Sequence, residues 1–166
     1  MSSESNEYEV DRSEWSSGPW SQETNDKVVW VDASTGLDCM MVRNGMGAWC
    51  GYVGLPPAHA EHGKSYNELW RYNVHGGLTY SQSCSGNVCH VPEEGRPHDV
   101  WWLGFDCSHS GDLSPADMKD GYGYGWPPPW AEGTYRTQAV VRRWVVELAA
   151  QVAAPDPLGD RGLRRS

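Results

Sequence analysis

The sequence predicts a single α+β domain, a mainly antiparallel sheet of five or six strands with one long C-terminal helix packed on it. Three observations lead there. Short β-type runs separated by Gly- and Asn-rich turns fill much of the chain. One continuous apolar run, "VWWLGFD", reads as a buried central strand. The stretch before "PDPLGDRGLRRS" carries apolar residues at helical spacing. At 166 residues the chain suits one core and leaves little room for a second.

Residues 1–26 are polar and acidic and contain "SSGPW", so they read as an irregular, solvated acidic arm that Trp15 and Trp20 pin to the body. Residues 27–154 form the domain, and residues 155–166 a tail. "VVWVD", "CMMVR" and "AWCGYVG" predict three antiparallel strands in a meander, with Asn44-Gly45 as a tight hairpin turn. The prolines of "LPPAHAEHGKSYNEL" break the pattern into a loop with a short helical turn at residues 65–69. "WRYNVHGGLTYS" resumes β-type residues, and its Gly pair predicts a bulge or a close backbone approach. "VWWLGFD" follows a Gly/Pro/Glu-rich loop and leads into "GFDCSHSGD". Residues 110–133, with "GYGYGWPPPW", form a long irregular excursion of the kind that is either a functional lid or disordered. The helix is predicted from Thr134 to Ala153, with Val140, Val141, Trp144, Val145, Leu148, Ala149 and Val152 on one face.

Composition narrows the function classes. The net charge is −9, and residues 1–27 hold seven acids against two bases, which argues against duplex nucleic acid as a partner. Arg136, Arg142 and Arg143 leave room for a small anion. Ten Trp and eight Tyr against one Phe place aromatic side chains at pocket walls and interfaces as well as in the core. Five cysteines, an odd count, and an N-terminus without basic and apolar regions predict a reducing, cytoplasmic setting with free thiols. No membrane partner is expected, because no window holds the ~20 apolar residues a span requires. No P-loop, dinucleotide fingerprint, Gly-x-Ser-x-Gly elbow or His-Glu-x-x-His occurs.

Two motifs carry the chemistry. In "GFDCSHSGD", Asp106, His109 and Asp112 leave the end of a buried strand, where a rigid scaffold can hold reactive groups. A neutral imidazole flanked by carboxylates suits either a divalent ion such as Zn²⁺ or an Asp–His pair for proton transfer. The plainer alternative makes Asp106 and Asp112 caps and His109 a satisfied hydrogen-bonder. In "VHGGLTYS", His75 precedes two glycines, with Thr79, Tyr80 and Ser81 as ligand-contacting hydroxyls, and the alternative is a bulge with a buried His. If the two strands are neighbours, His75, Asp106, His109 and Asp112 converge as a catalytic set, and His59, His75 and His109 as a metal set. Tyr124, Trp126 and Trp130 would stack on a planar ligand or merely cover the core. Cys84, Cys89 and His90 form only half of a zinc knuckle. Cys39 and Cys50 are expected to face the core, and Cys107 to be buried rather than nucleophilic.

Taken together, "WCGYVGLPPAH", "VHGGLTYS", "CHVPEEG", "DVWWLGFDCSHSGD" and "YRTQAVVRRWVVELAAQ" resemble an uncharacterised family of bacteriophage and actinobacterial proteins. The resemblance spans residues 27–153 and implies a phage or prophage setting, with no established activity attached. Two functions follow as expectations. The first is a small hydrolase-like protein whose His/Asp or metal site acts on a small polar, nucleotide-derived substrate in the host cytoplasm. The second is a non-catalytic counter-defence protein that sequesters a host nucleotide signal or binds a host protein. Homo-oligomer formation is compatible with both.

Overall fold

Among the described residues, eight strands and one α-helix follow one another in chain order, with three short 3-10 turns between them: β1 (Ser2–Glu4), β2 (Lys27–Val31), β3 (Asp38–Arg43), β4 (Trp49–Leu55), β5 (Tyr80–Ser83), β6 (Trp101–Asp106), β7 (Asp112–Leu113), β8 (Thr134–Tyr135) and α1 (Gln138–Ala153). They come from a computed structural model that describes residues 2–4, 8–13, 15, 18–83, 88, 100–109, 112–117 and 134–154. The six strands β1 to β6 form one sheet in the order β1-β2-β3-β4-β6-β5, antiparallel throughout. A short parallel pair, β7 with β8, stands apart from it. The α+β class, the antiparallel sheet and the C-terminal helix are therefore as the sequence predicts. Among the described residues no helix is long and apolar enough to cross a membrane.

Alternation along the strands sorts the side chains into two layers. Cys39, Met41, Trp49, Val53, Leu103 and Phe105 join the core beneath the helix, while Met40, Val42, Cys50, Tyr52 and Trp102 form a second cluster on the opposite face. Because both faces are covered, "VWWLGFD" shows no polar alternation; Trp102 to Phe105 are buried. Helix α1 buries Val141, Val145, Leu148, Ala149 and Val152. Its valines are mediocre helix formers, so burial of about 1.5–3 kcal/mol per large apolar side chain, not propensity, holds it. Gly51 lets the helix come close, since a β-carbon there would lie 2.6 Å from both Val145 Cγ2 and Phe105 Cζ.

The helix begins four residues later than the periodicity predicts. Thr134 and Tyr135 pair with Asp112 and Leu113 instead, and Thr137 is the cap, its side chain accepting from the Val140 N–H. A second cap comes from far away in sequence: Glu23 Oε2 accepts from the Gln138 N–H at 2.7 Å. This acidic side chain also binds the Arg43 guanidinium at 2.9 Å and accepts from Trp49 Nε1 at 3.2 Å and from the Tyr135 hydroxyl. Arg43 is buried, stacks 4.2 Å above the Trp49 ring and pairs with Asp26 at 3.1 Å. The expectation of a solvated acidic arm is thus corrected for residues 18–26. Their carboxylates neutralise a buried arginine and cap the helix, and Trp20 beside them is fully enclosed.

Two turns also differ from expectation. The β3–β4 connection runs through five residues rather than a two-residue Asn-Gly turn. Asn44 Oδ1 accepts from the Met46 and Ala48 N–H groups, and the left-handed position is Gly47 at φ 90° rather than Gly45. The Gly pair of "VHGGLTYS" forms no bulge. The chain turns at Val74–Gly77, closed by a 3.0 Å hydrogen bond from Gly77 N to Val74 O, and the strand starts only at Tyr80.

Candidate functional site

The turn at residues 74–77 and the loop after β6 face each other, and the contact between them requires a glycine. Gly76 sits at φ 71°, and a β-carbon on it would lie 2.3 Å from Cδ2 and 2.4 Å from Nε2 of His109. What approaches Gly76 closely is the His109 ring, while Gly77 beside it has open space. This brings "VHGG" and "DCSH" together: the His75 and His109 rings stand 6.1 Å apart, edge to face.

Each imidazole is turned toward its own aspartate. His75 Nε2 lies 2.8 and 2.9 Å from the two carboxylate oxygens of Asp112, so this nitrogen carries the proton and donates it. His109 Nε2 lies 3.2 Å from Asp106 Oδ1, an ion-pair distance, but makes no hydrogen bond, so only the His75 tautomer is held by its aspartate. Among the described residues neither ring's Nδ1 has a hydrogen-bond partner. A carboxylate on one ring nitrogen fixes the tautomer and raises the basicity of the other.

Asp112 is the hub. Its side chain is fully enclosed and also accepts from Arg136 Nε at 2.7 Å and from the His109 N–H at 3.0 Å. Burial alone would push its carboxyl group up. The hydrogen bonds from Arg136, His75 and the His109 backbone outweigh that, and the net shift is downward. The β7–β8 pair supplies this geometry, because Asp112 opens β7 and Arg136 follows directly on β8. Trp144 from α1 stacks flat on His75, with centroids 4.5 Å apart and planes 10° apart. Sequence reasoning left Arg136 and Trp144 out of the site. Arg136 was weighed as a phosphate contact and Trp144 as a core residue, because a parallel pairing between segments 22 residues apart leaves no local signal.

Asp106, the last residue of β6, opens onto the sheet face away from the helix. Its Oδ2 accepts from Thr79 Oγ1 and its Oδ1 from the Ser108 N–H, both at 3.0 Å. Ser108 Oγ in turn accepts from Asn44 Nδ2 at 3.0 Å. Beside these groups opens a cleft of about 450 Å³, to which Tyr52, Tyr80 and His109 also contribute. Tyr52 and Tyr80 meet edge to face at 5.2 Å, and Gly104 leaves the space that the Tyr52 ring occupies. Burial pushes both phenols upward, so they stay neutral hydroxyls at ordinary pH. On the helix side a smaller hollow of about 230 Å³ is bordered by His75, Trp144 and Glu147.

Other expected residues fall elsewhere. His59 does not join the set: its Nε2 bonds the Val152 carbonyl at 2.9 Å, and its Nδ1 accepts from the Glu61 N–H at 3.0 Å. With both nitrogens engaged it ties a loop to the end of α1. Ser81 Oγ accepts from the Tyr66 N–H at 2.9 Å, a structural bond. Tyr124, Trp126, Trp130, Cys84, Cys89 and His90 lie outside the described residues. Among the described residues no group of three or more His, Cys, Asp or Glu side chains is placed to hold a metal. Of the three histidines expected as a metal set, His59 is committed to backbone at both nitrogens. Cys39 and Cys50 are buried, with thiols pushed up to about 12 by desolvation. Burial, followed by nearby Asp112, raises Cys107 further, which leaves no nucleophile there.

No protein-family model, curated protein or solved structure matches the chain.

Proposed function

We propose that the chain is a small hydrolase-like protein in which the Asp106–His109 pair transfers protons to and from a small polar molecule held in the cleft beside Tyr52 and Tyr80. The observation that carries the reading is the His109 ring. The Asp106 carboxylate lies 3.2 Å from its Nε2 and Gly76 backs it, while its Nδ1 has no described partner at the edge of a cleft of ligand size. In the proposed step, Nδ1 takes a proton from water as the water oxygen bonds to an electrophilic carbon of the substrate. The bond to the leaving group then breaks, and that group takes the proton back from Nδ1. Asp106 stabilises the imidazolium between the two transfers. Asp112 positions both elements, holding His75 by its ring and His109 by its backbone.

The rival reading is binding without turnover, as in sequestration of a host signal; the paired tyrosines of the cleft favour it. Resemblance to phage proteins gives either reading a setting in a bacterial host. The test is to incubate the full chain with a panel of nucleosides, nucleotides and their cyclic derivatives, denature it, and analyse what is released. Altered product that disappears in His109→Ala and persists in His59→Ala supports proton-transfer catalysis. Intact ligand recovered from every variant replaces it with sequestration.

A further inference from the structure

We infer that the cleft selects uncharged or cationic ring-bearing molecules of about nucleoside size and discriminates against their phosphorylated forms. The inference rests on the cleft being the ligand site proposed above.

A dianionic phosphate is held chiefly by cations, which neutral hydroxyls do not replace, and the described wall offers hydroxyls instead. No Lys or Arg lies among its described lining residues. Three arginines among the described residues are engaged by other groups. Arg136 is bound to Asp112, Arg43 to Glu23 and Asp26, and Arg142 lies 4.2 Å over the Trp30 ring. Of the donors of the wall, Thr79 Oγ1 is spent on Asp106 and one Asn44 N–H on Ser108 Oγ, which leaves the neutral hydroxyls of Ser108, Tyr52 and Tyr80. The Asp106 carboxylate stands at the cleft with its side chain 29% exposed. The whole chain adds a charge of −9. A phosphate entering here therefore loses hydration and meets repulsion without compensation. A neutral ring meets Tyr52 and Tyr80, while a ring amine or hydroxyl finds Asp106 as an acceptor. The volume, about 450 Å³, lies in the range of roughly 300–1,000 Å³ usual for small-molecule sites.

The experiment is calorimetric titration of the full chain with adenosine, cytidine and guanosine and with their 5′-monophosphates. It is run near pH 8, where an ordinary imidazole is neutral, and in about 20 mM salt, where screening is weak. At least one nucleoside should bind with a Kd tenfold or more below that of its monophosphate. The gap should shrink toward unity in Asp106→Asn. Ser108→Lys, which adds a cation at an exposed rim position, should tighten the monophosphate and so covers the case in which Asp106→Asn fails to fold. A monophosphate that binds as tightly as its nucleoside, or no binding by any of the six, overturns the inference. Preference for the nucleoside with only intact compound recovered leaves the inference standing and removes the proton-transfer reading. Hydrolysis of a tightly bound monophosphate does the reverse.

Discussion

Replacing Gly76 by alanine separates two demands on one position. The backbone there has φ 71°, and the new methyl carbon would lie 2.3–2.4 Å from the His109 ring. The left-handed conformation costs a residue with a β-carbon about 1–2 kcal/mol. Gly77 has the same backbone demand at φ 80° but nothing within 4 Å of its would-be β-carbon, so Gly77→Ala measures strain alone. In Gly76→Ala the ring must also leave its seat. Its ion pair with Asp106 is part-exposed and worth only about 0–1 kcal/mol, and the displaced ring packing brings the total to about 2–3 kcal/mol. Urea denaturation of the two variants gives the difference, and the histidine ring resonances show whether His109 has moved. Gly76→Ala should be the less stable by about 1 kcal/mol and should shift the His109 signals, while Gly77→Ala leaves them in place. Equal stability with an unmoved His109 would refute the account of how the two motifs meet.

The folded state holds the Asp112 carboxyl below its ordinary value, so its contribution to stability is complete above that value and is lost as pH falls through the folded one; urea midpoints between pH 6 and 3 should fall more steeply for the wild type than for Asp112→Asn. Glu23→Ala removes one of the two carboxylate partners of buried Arg43 and a cap of α1 and should cost about 1.5–3 kcal/mol in denaturant titration; a loss under about 1 kcal/mol contradicts the internal role of the acidic segment. His59→Gln should cost about 1 kcal/mol by thermal unfolding and leave the His75 and His109 resonances unchanged, whereas a change in either would return His59 to the site.

The parts of the fold written in local pattern were legible in the sequence. The meander β2-β3-β4, the buried strand β6 and the apolar face of α1 each follow from side-chain periodicity within a few residues. The convergence of His75 with Asp112 was legible for a weaker reason, since a Gly pair and a His/Asp-rich loop each flank a strand. What the sequence hid is non-local. Glu23 and Asp26 look like surface acids until Arg43 is buried between them. His59 looks like a ligand until Val152 and Glu61 take both ring nitrogens. Tyr52 and Asn44 read as strand and turn residues, and only the β4–β6 register and the Ser108 contact carry them to the cleft.

The central claim is that His75 presents a bare Nδ1 because Asp112 holds its Nε2 proton, and that His109, with Asp106 beside its Nε2, accepts the proton at Nδ1. Long-range ¹H–¹⁵N spectra of the ring nitrogens in the full chain, assigned with His→Ala variants, measure this directly. At a pH where both rings are neutral, the account predicts the Nε2–H tautomer for His75 and His109, with Nδ1 unprotonated. An Nδ1–H tautomer at His109 would contradict it, since the nitrogen assigned to accept the proton would already carry one.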